Sequence, residues 1–238
     1  MTEKVVGVLG GMGPEATVDF FAKIIALTPA EKDQDHLRII IDNNPKIPDR
    51  TEAILKNDPS LLPALVETAR NLERAGVDFI VIPCNTAHYL YEELIKAVSV
   101  PVLHIVREVV SAVKVSLPRC RRVGLLATSG TVISNLYQEE FQGAGVEVVV
   151  PAPEHQTKVM NAILTIKSGH ERDRAKQELI EIGNWLIREC GAQAIVLGCT
   201  DISTVIGADC FEVPVFDSNL VLARATVRYA KNLEGGER

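Results

Sequence analysis

Two cysteines of the chain, Cys84 and Cys199, sit in matching contexts, Pro83-Cys84-Asn85-Thr86 and Gly198-Cys199-Thr200-Asp201. Each follows an apolar run that reads as a buried strand and precedes a stretch that reads as the start of a helix. There, free N–H groups and the positive end of the helix dipole favour thiolate, so both thiols are expected to fall below the ordinary value of about 8.5. A single buried cysteine is commonly an inert small hydrophobe. Two in equivalent places, each beside a threonine, point instead to paired proton chemistry. One thiolate removes a proton from a tetrahedral carbon, and the opposite thiol returns one to the other face. Configuration inverts with no net redox change. Asn85 and the N–H groups near Thr86 and Thr200 are suited to hold a substrate carboxylate and to stabilise the charge that builds as the Cα proton leaves.

Other constellations compete with this reading. Gly11-Met12-Gly13-Pro14-Glu15-Ala16 fits the G-x-G-x-x-A pattern of a dinucleotide-binding Rossmann-type loop, which would make the protein a nucleotide binder. The acidic residue expected after the second strand, Asp42, comes late for that motif, and Pro14 is unusual within it. The simpler expectation is that these glycines let the backbone approach a small ligand, with Met12 beside it. Cys84, His88 and Cys199 include metal-ligating types, with Cys84 and His88 four residues apart on one helical face. His88 reads better as a helix-capping or supporting residue, and no metal is expected. His104 and Asp217 hold equivalent places and read as structural, as do Cys120, Cys190 and Cys210.

The elements that position these residues alternate between strand-like and helical patterns, the mark of an α/β fold with mainly parallel sheets. Strands are expected over 4–9, 38–41, 79–82, 102–104, 123–126, 146–150, 194–197 and 213–216. Leu62, Leu65, Val66, Ala69 and Leu72 share one helical face before Gly76, and Ala175, Leu179, Ile182 and Leu186 repeat this before Gly191. Residues 44–50 read as a loop. The chain also repeats itself: Gly7 matches Gly124, Cys84 matches Cys199 and Pro101 matches Pro214, at offsets of 117, 115 and 113. Such constancy over three motifs indicates duplication of one α/β unit. The expected division is a first domain of residues 1–101 plus 217–238 and a second of 102–216. Packed about a pseudo-two-fold axis, their strand ends would face each other across a cleft.

Composition narrows the function classes. The 238 residues are 47% hydrophobic and 24% charged, with formal net charge −6 and no basic stripe for nucleic acid. No apolar run approaches the ~18 residues of a membrane span. Five cysteines without a C-x-x-C pair argue against a disulfide framework or zinc ribbon. The N-terminus lacks the apolar stretch of a secretory signal, so a cytoplasmic location is expected.

The motifs Gly7-Val8-Leu9-Gly10-Gly11-Met12-Gly13-Pro14-Glu15-Ala16-Thr17, Asn43-Asn44-Pro45-Lys46-Ile47-Pro48-Asp49-Arg50-Thr51, Pro83-Cys84-Asn85-Thr86-Ala87-His88 and Leu197-Gly198-Cys199-Thr200 occur in order along the chain. Together they resemble the aspartate/glutamate racemase superfamily, most of all its aspartate racemase branch, over essentially the whole length. The resemblance implies two similar α/β domains, a pyridoxal-independent racemase without cofactor, an acidic amino acid as substrate and a homodimer. It implies Cys199 on the L face and Cys84 on the D face, with Arg50 and Lys167 as substrate-binding residues. Chemistry agrees, since a second carboxylate suits a bidentate Arg and a Lys point charge. Glutamate racemases carry Asp-Ser-Gly where this chain has Gly11-Met12-Gly13, and His where it has Asp201. Both differences favour aspartate over glutamate; a broad-specificity or glutamate-type racemase is the alternative. Asp201 stands where aspartate racemases often have Glu, with the same charge on a shorter arm.

Overall fold

A computed structural model describes residues 3–232. The chain runs through β1 (Val6–Gly10), α1 (Pro14–Leu27), β2 (Ile39–Asn43), α2 (Arg50–Lys56), α3 (Leu61–Arg74), β3 (Phe79–Val81), α4 (Tyr91–Ile95) and α5 (Ile105–Ser116). It continues through β4 (Arg122–Leu126), α6 (Ser129–Ile133), α7 (Leu136–Gln142), β5 (Glu147–Val149), α8 (Pro153–Ser168), α9 (Arg172–Arg188), β6 (Ile195–Leu197), β7 (Val215–Asp217) and α10 (Ser218–Ala230). Strands β2-β1-β3 form one parallel sheet and β5-β4-β6-β7 a second, as expected of a duplicated α/β unit.

Both faces of each sheet are covered, which is why the central strands read as continuous apolar runs. Alternation along the strands sends Val6, Val8, Phe79 and Val81 of the first sheet, and Val123, Leu125 and Val196 of the second, into one shared core. Helices α5 and α10 fill it with Ile105, Val106, Val109, Val113, Leu222, Ala223 and Val227. The opposite faces have their own cores. Leu9, Ile80 and Ile82 pack on Leu65, Ala69 and Leu72 of α3, while Leu126, Ile195 and Leu197 pack on α8 and α9. Gly76 ends the α3 turn at φ +82°, the left-handed conformation that glycine adopts without a Cβ penalty.

Three expectations need correction. Residues 102–104 form no strand: Val102 makes an isolated parallel bridge to Ile80, because α5 begins only three residues later. Pro101 still accepts from the Ile80 N–H at 2.8 Å, as Pro214 does from Ile195 at 2.9 Å, so the repeat survives where the strand does not. Arg50 opens helix α2 rather than closing a loop, with Asp49 as its N-cap accepting from the Glu52 N–H. The stretches after both cysteines are short 3-10 turns, Thr86–Leu90 and Ile202–Thr204, not α-helices.

Candidate active site

The loops at the carboxyl ends of β1, β3, β4 and β6 converge on one pocket. It is lined by Met12, Arg50, Cys84, Asn85, Thr86, Lys167, Cys199, Thr200 and Asp201, together with Asp49, Thr51, Thr128 and Met160. Every anticipated site residue except His88 therefore lies on one cavity, although Cys84 and Cys199 are 115 positions apart in the chain. His88 sits behind Cys84: its Nδ1 bonds the Cys84 carbonyl oxygen at 2.9 Å, and its Nε2 accepts the Ile105 N–H at 3.2 Å. Both ring nitrogens are thereby engaged with backbone, which leaves neither for a metal.

The threonines fasten the two halves at the pocket floor. Thr200 donates its hydroxyl to the Pro83 carbonyl at 3.0 Å, joining the second cysteine loop to the first. Thr86 returns the contact, with its Oγ1 2.9 Å from both Thr128 and Thr131. Asn85 is fixed at both ends of its amide. Its oxygen accepts from the buried Tyr137 hydroxyl at 2.6 Å, and its Nδ2 donates to Ser218 at 2.9 Å. One amide N–H is left over, so Asn85 is more a rigid wall than a free clamp. Tyr137 and Ser218 carry no sequence signal for this role, and neither does Met160, which lies on a helix like any apolar residue. Thr128 was within reach of the repeat, because it lies 117 residues after Gly11 and occupies the equivalent loop.

The two cationic residues differ in their partners. Lys167, in the last turn of α8, pairs with Asp201 Oδ2 at 3.4 Å. Its pKa is shifted by burial, which pulls down, and by the Asp201 carboxylate and both thiols, which prevail and leave it raised. Lys167 therefore stays charged within electrostatic reach of both cysteines. Arg50 is about nine-tenths buried, donates to the Pro48 carbonyl at 3.1 Å, and keeps a buried Nε with no partner. A buried guanidinium N–H left unsatisfied is costly, and an anionic ligand would satisfy it.

The thiol chemistry departs from expectation at Cys199. Its pKa does not fall but is pushed up to about 12, first by burial and then by the Asp201 carboxylate, whose Oδ2 lies 3.7 Å from Sγ. Lys167 opposes the shift, and Cys84 adds to it. A 3-10 turn of three residues has little dipole to set against complete burial. Cys199 thus rests as a thiol, beside a carboxylate able to accept its proton.

His104 and Asp217 occupy equivalent capping positions, as their repeat relation implies. His104 accepts from the Arg107 N–H at the start of α5, and Asp217 from Asn219 and Leu220 at the start of α10. Burial also holds His88 neutral, with a pKa of about 4 against the ordinary 6.5. The unfolded chain binds this proton first, so stability is intact above pH 6.5 and is lost as pH falls towards 4. Between pH 7 and pH 5 this linkage removes about 2 kcal/mol. Burial lowers the neighbouring His104 as well, so urea unfolding at the two pH values should show at least that loss, and His88→Asn, which keeps a donor to the Cys84 carbonyl, should show clearly less. An equal loss in the variant would place the acid sensitivity elsewhere.

The chain is similar to proteins of one family. The family model for Asp/Glu/Hydantoin racemase matches residues 9–226. The chain is 33% identical over 229 residues to the broad specificity amino-acid racemase RacX of Bacillus subtilis (strain 168), covering 93% of this chain and 96% of that one. Among solved structures it superposes on Picrophilus torridus aspartate racemase with TM-score 0.86 and 34% identity, over 96% of this chain and 94% of that one. It shares the fold of glutamate racemase from Francisella tularensis subsp. tularensis SCHU S4, with TM-score 0.69 and 21% identity over 100% of this chain and 86% of that one. Among the described residues, no helix is long and apolar enough to cross a membrane.

Proposed function

Because the chain belongs to the Asp/Glu/hydantoin racemase family, we propose that it interconverts L- and D-aspartate by a two-base mechanism in which Cys84 and Cys199 need no cofactor. The observation that carries this reading is the convergence of both cysteines, from equivalent loops of the repeat, on one pocket with Arg50 and Lys167. With L-aspartate bound, the Cys199 thiolate takes the Cα proton, and the electron pair is delocalised into the α-carboxylate. The Cys84 thiol then protonates the opposite face, and the two sulfurs exchange protonation states. Asp201 accepts the Cys199 proton beforehand, helped by the positive charge of the substrate ammonium and of Lys167. From the D side the roles reverse.

Arg50 is proposed to bind the side-chain carboxylate, since its unsatisfied buried Nε seeks an anion. The relative from Bacillus subtilis supports a second reading, a racemase of broader range. One experiment separates them: incubate the purified protein with each L-amino acid, without added cofactor, and resolve the enantiomers. Aspartate should be turned over best. Comparable rates on neutral amino acids would favour the broader range, and racemisation of none would overturn the function. In Arg50→Ala, kcat/KM for aspartate should fall by roughly 2–5 kcal/mol in transition-state terms, with much less effect on any neutral substrate. Equal losses would remove Arg50 from the side-chain carboxylate.

A further inference from the structure

Arg172, the first residue of α9, reaches two places at once. Its Nη1 pairs with the Glu15 carboxylate in the first turn of α1 at 2.5 Å, and its Nη2 donates to Thr204 Oγ1 at 2.6 Å. Thr204 donates its own hydroxyl to the Asp201 carbonyl at 2.7 Å, beside the backbone bond from its N–H to the same oxygen at 3.1 Å. Ser203 holds the other side of this turn by donating to Asp217 Oδ1 at 2.5 Å. These bonds hold the Asp201 backbone carbonyl, and with it the turn that carries the Asp201 side chain. Oδ2 faces Cys199 and Lys167, and Oδ1 lies against Gly13, where an added methyl carbon would stand only 3.2 Å away. Glu15, Arg172 and Thr204 do not line the pocket themselves.

We propose that Glu15, Arg172 and Thr204 form a positioning relay that holds the Asp201 carboxylate against Cys199. The relay joins the start of α1 in the first half to the start of α9 in the second, so it ties the alignment of the halves to one thiol and not the other. The charged and titratable groups acting on Cys199 are Asp201, Lys167 and Cys84, and Arg50 acts on Lys167 in turn. When the relay is cut, Cys199 loses both a neighbouring negative charge and its proton acceptor. The two losses act oppositely: the thiol ionises more readily, yet turnover slows. The effect on turnover rests on the two-cysteine reading; the effect on the thiol does not.

The test compares Thr204→Val, which keeps the side-chain shape and removes the hydroxyl, with Thr204→Ser, which keeps the hydroxyl, and with Arg172→Gln. Iodoacetamide labelling of Cys84 and Cys199 is followed by peptide mass spectrometry from pH 6 to 10, alongside racemisation kinetics. In Thr204→Val and Arg172→Gln, Cys199 should label roughly tenfold faster at pH 8, the equivalent of about one pKa unit, with Cys84 unchanged. Thr204→Ser should behave as the parent protein. Where the protein racemises, kcat should fall roughly tenfold with KM within about twofold. Acceleration of both cysteines together would show a general opening of the cleft and overturn the relay, as would no change at Cys199. The expected labelling shift in a protein that racemises no amino acid would leave the relay standing and remove the racemase reading instead.

Discussion

Cys84→Ala and Cys199→Ala should each lose aspartate racemisation by about 10³-fold or more in both directions, since each removes an acid/base group worth roughly 10²–10⁴-fold in rate. The informative readout is exchange of the Cα proton with deuterated water, because breaking that bond needs one thiolate whereas inversion needs two groups. Cys84→Ala keeps Cys199, proposed for the L face, and should exchange the proton of L-aspartate while leaving D-aspartate untouched. Cys199→Ala should show the reverse. Electrostatics favour the first variant's residual exchange: Cys84 contributes to the raised pKa of Cys199, and its removal eases ionisation there. A single-cysteine variant racemising at the parent rate would refute the two-base mechanism. Exchange of both enantiomers by one variant would refute the assignment of faces.

The second large effect is structural. Gly11→Ala should destabilise the fold by about 3 kcal/mol or more, because it combines a left-handed backbone with a collision. Gly11 has φ +91°, and a Cβ there would lie 2.4, 2.6 and 2.7 Å from the carbonyl carbon, nitrogen and oxygen of Asn44. That backbone has little freedom to retreat. The Asn44 N–H donates to Gly10 at 3.2 Å and its side chain to Thr68 at 2.9 Å, while the Gly11 N–H is held by Thr17 at 3.0 Å. Gly13→Ala is the control: its φ is −97°, its only close neighbour is Asp201 Oδ1, and it should cost under about 1 kcal/mol. Urea denaturation of both variants checks the contrast, and equal stabilities would show that the loop accommodates a side chain at Gly11. The same geometry bears on the glycine-rich loop itself. Gly11 admits the close approach of the chain's own Asn44, and its N–H, the donor a pyrophosphate would seek, already bonds Thr17.

Local sequence was sufficient for much of this protein. Binary patterning marked seven of the eight expected strands, because strands buried on both faces must be apolar throughout. The repeat of Pro83-Cys84-Asn85-Thr86 as Gly198-Cys199-Thr200 marked the two cysteines as equivalent positions, since duplication preserves spacing and the equivalent strand ends, and both line the pocket. Arg50, Lys167 and Asp201 came from motif resemblance, and all three lie on the pocket. What local sequence could not carry were properties of contacts between distant segments. The raised pKa of Cys199 depends on burial and on Asp201, so the dipole argument from a helix start pointed the wrong way. That Tyr137 and Ser218, 52 and 133 positions away, fix the Asn85 amide has no local signal. The link from Arg172 to Glu15 spans 157 positions. Periodicity reports which face of an element is apolar, but the free energy of a proton or a buried hydrogen bond is set by whichever groups the tertiary fold brings within a few ångströms.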